Sequence, residues 1–279
     1  MTKTRQVFTA SPDSYQNKKS NYIEPIQSAN TLFHFIDEIM YLEEALEEQK
    51  LFPRYCEEKF DFICEEIPPI AFPMKCFCDI HLNKLSSHRW LYGGFGIAFK
   101  KEWGIDNGLQ PIQYINEKSS LEKKYCQEIK KALNDCGQNY KQLLEDYVLI
   151  LYDLFFIKPL SGKAYREDKG EIDRNFHDEK EWRFVPDIEN HRNLKTRLII
   201  PNNTGVHKKY DQYSDHIKSN TNCFLSFAFE DIKYLIVENY EQRNELIEFI
   251  RSKLLKPDPF ERDLLISKIL VFDDLKGDW

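Results

Sequence analysis

The 279-residue chain is long enough to bury a sizeable core, and its 42% hydrophobic and 30% charged residues are typical of a globular protein. Its net charge of -7 argues against an overall electrostatic attraction to nucleic acid, although a local basic groove is compatible with that charge. No apolar run reaches the roughly 18 residues that a membrane helix needs, and no signal-peptide core follows the polar start. We therefore expect a cytoplasmic protein without a membrane segment.

Seven cysteines are present, an odd number with irregular spacing in a chain too large to need disulfides, so we expect reduced thiols. Cys76 and Cys78 with His81 superficially suggest a metal site. That pattern lacks a second pair of ligands, and both cysteines fall on one face of an apolar strand, where buried thiols are common. The sequence therefore predicts no metal site.

Residues 1–28 are polar and are interpreted as a flexible N-terminal arm, and residues 29–279 as a single domain. The apolar run Thr31–Ile36 predicts a first strand, which contains the ionisable residue His34. A lone histidine in a strand is more often a core side chain than a catalyst. A helix with apolar residues at helical spacing follows from Ile39 and ends before Pro53.

Later segments predict further strands and helices without repeats or a convincing linker. Residues 88–100 contain three glycines, whose spacing matches neither a P-loop nor a dinucleotide fingerprint and instead indicates a tight turn into a strand. Trp90 and Tyr92 flank this turn, where they either stack on a base or fill the core. We expect polar loops at 158–175 and 201–222. Strands are predicted at 70–78, 96–99, 111–115, 195–200, 223–229, 234–238 and 268–274, and helices at 101–106, 121–133, 142–156, 241–255 and 260–267.

The segment 178–186 alternates charged and apolar residues with the period of a strand. Glu179, Glu181 and Arg183 should therefore share one face, while Trp182 and Phe184 point to the core. Two neighbouring carboxylates have coupled protonation, and Arg183 favours their charged forms. The segment is either a site for acid/base chemistry or the solvated face of an edge strand. The predicted fold class is α+β, with a mixed or antiparallel central sheet and flanking helices.

Five segments together resemble the AbiGi family of bacterial abortive-infection proteins. They are Cys76–Ile80, Leu91–Gly104, Pro111–Tyr114, Phe156–Pro159 and Asp178–Pro186. The resemblance runs in order from about residue 32 to residue 237. It implies a role in antiviral defence as the antitoxin of a phage-defence pair, and hence a cognate toxin or antitoxin as the protein partner.

A more distant resemblance is to the ADP-ribosyltransferase-like fold, in which a first-strand histidine precedes a late Glu-x-Glu strand. It implies NAD as substrate, with Glu181 stabilising the oxocarbenium-like transition state and Glu179 activating the acceptor. His34 is then both catalytic and cofactor-binding, Tyr92 stacks on nicotinamide, and Trp90 and Arg183 complete the cofactor-binding set. The usual Ser-Thr-Ser element is absent. This resemblance requires His34 and both glutamates to face one crevice.

Two hypotheses follow from the sequence. The first is an NAD-dependent ADP-ribosyltransferase or NAD glycohydrolase, with nucleic acid as one conceivable acceptor. The second is a non-catalytic antitoxin or sensor that binds a partner protein through its acidic surface.

Overall fold

A mixed β-sheet carries helices on both faces, as seen in a computed structural model that describes residues 28–136, 146–166, 169–187, 207–220, 223–254 and 258–276. The strands are β1 Thr31–Ile36, β2 Lys50–Leu51, β3 Arg54–Glu58, β4 Ile70–Cys78, β5 Phe95–Lys100, β6 Gln110–Pro111, β7 Gln113–Ile115, β8 Ile157–Pro159, β9 Ser161–Arg166, β10 Gly170–Asn175, β11 Glu181–Phe184, β12 Leu225–Ser226, β13 Ile232–Val237 and β14 Ile269–Val271. The helices are α1 Ile39–Glu48, α2 Ser86–Tyr92, α3 Lys101–Asp106, α4 Ser120–Cys136, α5 Val148–Phe155, α6 His207–Asn220, α7 Tyr240–Ser252, α8 Pro259–Ser267 and α9 Phe272–Leu275.

The main sheet has the strand order β14-β13-β5-β1-β4-β11-β6, and β3 also pairs with β4. β13 and β14 run parallel, whereas the other pairs in this sheet are antiparallel. The predicted α+β class with a mixed sheet is therefore confirmed. In the described parts of the chain, no helix combines the length and the apolar composition needed to cross a bilayer.

The two faces of the sheet bury different side chains because neighbouring residues of a strand point in opposite directions. Leu32 and Phe77 lie in one core cluster, which α1, α7 and α8 cover with Leu42, Leu246 and Leu265. On the opposite face, Phe33 and Cys78 pack in a second cluster. A third cluster forms around the first half of β4, against α4, α5 and α6.

Local sequence patterns predicted the apolar elements well. The strands at 31–36 and 70–78 and the helix at 101–106 are confirmed with their bounds. The predicted polar loop at 158–175 is wrong, because β9 and β10 form a separate two-stranded ribbon there. The predicted loop at 201–222 is also wrong over 207–220, where α6 forms. The β9-β10 ribbon and helix α6 contribute few residues to the core, so their sequences have the polar composition of a loop.

The segment before β5 also differs from its prediction, because residues 86–92 form helix α2 and the turn is confined to Gly93 and Gly94. Three predictions fall wholly or partly outside the described residues. They are the arm at 1–28, of which only residue 28 is described, the start of the helix expected at 142–156, and the strand expected at 195–200.

Gly93 ends helix α2 with φ 133°, a conformation that residues with a Cβ rarely adopt. A Cβ built there would lie 2.3 Å from the carbonyl oxygen of Ile36, at the end of β1. The helix and the strand therefore approach each other through a position that only glycine fits.

We expect Gly93→Ala to lower the free energy of unfolding by about 2–4 kcal/mol, because backbone strain and a backbone clash act together. Urea denaturation followed by circular dichroism measures the change. Gly108→Ala is the matched control, since Gly108 also has a positive φ, 72°, but open space around its Cβ position. This control should cost only about 1 kcal/mol. Equal losses for the two variants would contradict the close approach at Gly93.

Candidate functional site

The carboxylates of Glu179 and Glu181 meet at one lysine. Glu179 ends a 3-10 turn at residues 176–179, and Lys180 has a left-handed backbone with φ 44° before β11 begins at Glu181. The predicted strand is therefore interrupted between the two glutamates. They nevertheless converge, since Lys158 Nζ donates hydrogen bonds to Glu179 Oε2 at 3.2 Å and to Glu181 Oε2 at 2.8 Å.

Glu181 is further held by Arg183, whose Nε donates to Glu181 Oε1 at 2.6 Å. The same guanidinium donates to the carbonyl oxygen of Phe155 at 2.7 Å and to Glu58 Oε1 at 2.8 Å. Arg183 is fully buried, with 0% of its surface exposed. The interpretation of this segment as a solvated edge is therefore wrong, because β11 lies between β4 and β6 and both glutamates are buried.

The second carboxylate oxygen of Glu179, Oε1, also accepts hydrogen bonds from side chains. Tyr92 Oη donates to Glu179 Oε1 at 2.6 Å, and Arg174 Nε donates to the same oxygen at 2.7 Å. With Lys158 on Oε2, Glu179 uses both oxygens within the chain. We call the three acidic and three basic side chains the charge cluster: Glu58, Glu179, Glu181, Lys158, Arg174 and Arg183.

The ion pairs of the charge cluster favour the charged forms of Glu179, Glu181 and Arg183, which are buried, and of Lys158, which is partly buried. Burial opposes the charge on Glu181, but Arg183 and Lys158 outweigh it and lower the pKa of Glu181 well below its ordinary value. Lys158 and Tyr92 likewise lower the pKa of Glu179 against the effect of burial. The pKa values of Lys158 and Arg183 are raised by these carboxylates. Both carboxylates are therefore favoured in their charged forms.

His34 lies on the face of the sheet opposite to Glu181. Phe33 is directly across from Cys78, which is directly across from Glu181, so these three side chains share one face. The ring of His34 instead lies 5.5 Å from that of Phe77, on the other face. The expectation that His34 and the glutamates line one crevice is wrong, because strand alternation directs them to opposite sides.

Of the predicted cofactor-binding residues, the structure brings Tyr92 and Arg183 to the glutamates and leaves Trp90 apart. Tyr92 contacts Glu179, and Trp90 is 57% exposed beneath Lys169, whose Nζ is 5.3 Å from its ring. Two sizeable cavities in the described part of the chain are lined by neither Glu179 nor Glu181. The catalytic and cofactor-binding roles stay predictions.

Sequence reasoning missed two of the three cations that contact the glutamates. Lys158 and Arg174 come from β8 and β10, in the stretch interpreted as a loop, and Glu58 comes from β3, which was not predicted. Tyr114 was also missed, and its hydroxyl accepts the backbone N–H of Glu181 at 2.9 Å. Two local signals existed, since Tyr114 and Lys158 fall within segments that carry the family resemblance.

Comparisons with known proteins agree on one family. The sequence model described as "Putative abortive phage resistance protein AbiGi, antitoxin" matches residues 49–238. The chain is 38% identical over 248 residues to the abortive phage resistance protein AbiGi of Lactococcus lactis subsp. cremoris, a match that covers 81% of this chain and 98% of that protein. No solved structure matches the chain, so the ADP-ribosyltransferase-like part of the fold prediction has no support.

We expect Glu181→Gln to lower the free energy of unfolding by about 3–5 kcal/mol, because it leaves Arg183 and Lys158 buried without their shared carboxylate. Chemical denaturation at pH 7 measures this loss. Lys163→Met is the matched control, because it removes an exposed ion pair with Glu171 and should leave the midpoint unchanged. A midpoint for Glu181→Gln equal to that of the control would contradict a structural role for the charge cluster.

A second prediction concerns His88, which is buried and whose Nε2 has no hydrogen-bond partner among the described residues. Burial and the nearby Arg174 lower the pKa of His88 to about 4, from an ordinary value of about 6.5. The unfolded chain therefore binds a proton on His88 before the folded chain does. This linkage should remove up to about 3 kcal/mol of stability as the pH falls from 6.5 to 4.

Denaturation of the wild-type chain and of His88→Phe at pH values between 7 and 4 tests this dependence. The variant should lose distinctly less stability over that range, because phenylalanine does not titrate. Parallel curves for the two proteins would show that His88 titrates as it does in the unfolded chain.

Proposed function

Because the chain belongs to the AbiGi family of abortive phage resistance proteins, we propose that it acts as an antitoxin that binds and silences a partner toxin protein. The main observation in support of this proposal is that all four carboxylate oxygens of Glu179 and Glu181 accept hydrogen bonds from side chains of the same chain. A catalytic carboxylate must reach its substrate within hydrogen-bonding distance. Here both carboxylates are buried and paired, which suits a structural role.

The charge of the chain supports a protein partner of opposite charge. The sequence has 46 acidic and 39 basic residues, for a net charge of -7. Electrostatic complementarity of this kind accelerates association with a basic protein and makes the rate sensitive to salt. The acidic balance therefore favours a basic toxin over nucleic acid as the partner.

The NAD-dependent transferase hypothesis stays an untested prediction, together with NAD as its substrate. The geometry offers it little support, because His34 and Glu181 lie on opposite faces of the sheet. Its decisive difference from the antitoxin proposal is that the isolated chain would consume NAD.

We expect that co-expression of this chain restores growth to cells arrested by the product of its neighbouring toxin gene, and that this chain alone leaves growth unaffected. With purified components, raising NaCl from about 0.05 to 0.5 M should slow association at least tenfold, because steering between unlike charges is screened. Growth curves and surface plasmon resonance are the measurements.

Two outcomes would contradict the antitoxin proposal. Consumption of NAD by the purified chain, abolished in a folded Glu181→Gln variant, would overturn the antitoxin proposal in favour of the enzyme. Failure to restore growth, with no complex between the two purified proteins, would also overturn it.

A further inference from the structure

A cavity of about 550 Å³ opens beside β1 and β4 on the face of the sheet away from the glutamates. Register pairing between these two strands is confined to Phe33 opposite Cys78. At the next residue of β1, the contact with β4 is made by a side chain instead of the backbone. His34 Nδ1 lies 2.9 Å from the carbonyl oxygen of Cys76. A side chain therefore occupies the place of a backbone hydrogen bond, and the space next to it is the cavity.

The cavity combines an apolar wall with a polar floor. Ala45, Leu51 and Pro53 are buried side chains of its wall. Lys75 and His34 come from adjacent strands and belong to the same sheet face, since Lys75 is two residues from Phe77, whose ring contacts His34. Charged residues form much of the remaining lining. A concave site of several hundred Å³ in which apolar side chains and convergent polar groups meet is suited to a small molecule that carries a charged group.

Lys75 is one cation of this cavity without a counterion among the described residues. In the part of the chain that the structure describes, its ammonium has no carboxylate within 4.0 Å and no hydrogen bond, although the residue is partly buried. The cavity is also lined by carboxylates, of which Glu38 and Asp215 are exposed to solvent. Of the other lining cations, three are paired: Arg54 with Asp211, Arg166 with Asp37, and Lys218 with Glu44 and Glu48. The fourth, Lys50, has its Nζ 4.3 Å from the centre of the Phe224 ring.

His34 adds an acceptor to the same floor. Its Nδ1 must carry the proton that is donated to the carbonyl oxygen of Cys76. Burial and the charge of Lys75 lower the pKa of His34, so the neutral ring prevails and Nε2 is left as an acceptor. A cation and a neutral acceptor thus line one partly apolar cavity.

We propose that this cavity binds a small molecule bearing a phosphate or carboxylate, with the anion against Lys75 Nζ and a ligand donor directed to His34 Nε2. Buried cations are normally paired, and an anionic ligand supplies the missing partner. Burial lowers the pKa of Lys75 to about 8. Binding of an anion should therefore raise that pKa and take up a fraction of a proton at pH 8. The proposal goes beyond the antitoxin function and does not depend on it.

Calorimetric titration of the full chain with phenyl phosphate, and with phenol as the uncharged counterpart, tests this site. We expect saturable binding of phenyl phosphate alone, weakened at least tenfold by Lys75→Met and unchanged by Lys163→Met. At pH 8, titrations in buffers of different ionisation enthalpy should show proton uptake. Circular dichroism confirms that each variant is folded.

Chemical protection gives a readout that needs no variant. Acetylation of the wild-type chain, followed by mass spectrometry, should show that phenyl phosphate slows the modification of Lys75 and leaves that of Lys163 unchanged. The proposal is overturned if phenyl phosphate does not bind saturably, if phenol binds equally well, or if neither Lys75→Met nor acetylation protection links binding to Lys75. No toxin enters this experiment, so its failure is distinct from failure of the antitoxin proposal.

Discussion

The pairing of Lys158 with two buried glutamates is the interaction on which this half of the structure depends. Two adjacent carboxylates taken out of water repel each other and lose their hydration, so they require cations at close range. Lys158 contacts both, and Arg174 and Arg183 each contact one. Through Arg183 and Glu58 the cluster also reaches β3. It thus ties β3, β8, β10 and β11 together at the point where the ribbon meets the main sheet.

This charge balance changes the meaning of the most conspicuous motif in the sequence. A Glu-x-Glu pair suggests acid/base chemistry when it faces an open crevice. In this chain the pair faces inward, and Tyr92 and Arg174 occupy the remaining acceptor positions on Glu179. Chemistry at the pair would require these internal hydrogen bonds to be exchanged for contacts with a substrate. The description of the matching family contains the word antitoxin. A non-catalytic role of that kind agrees with charged residues that stabilise the chain's own strands.

The sheet separates two environments that the sequence does not distinguish. On one side, buried carboxylates are neutralised within the chain. On the other, Lys75 and His34 line a cavity with a cation left unpaired among the described residues. This asymmetry is why we assign ligand binding to the side that lacks the glutamates. An antitoxin with a small-molecule site of its own would have two surfaces of different chemistry, one for a protein and one for an anion.

The sequence by itself determined the local elements and the family. Strand alternation correctly placed Trp182 and Phe184 against the core, the apolar runs gave β1 and β4, and five short segments pointed to the AbiGi family. Tertiary structure alone decided which residues meet. Arg183 lies 125 positions from Glu58 along the chain, and strand register sends His34 away from Glu181. The physical reason is that side chains alternate with a period of two, so the face on which each residue lies depends on how distant strands align, which local patterns do not encode.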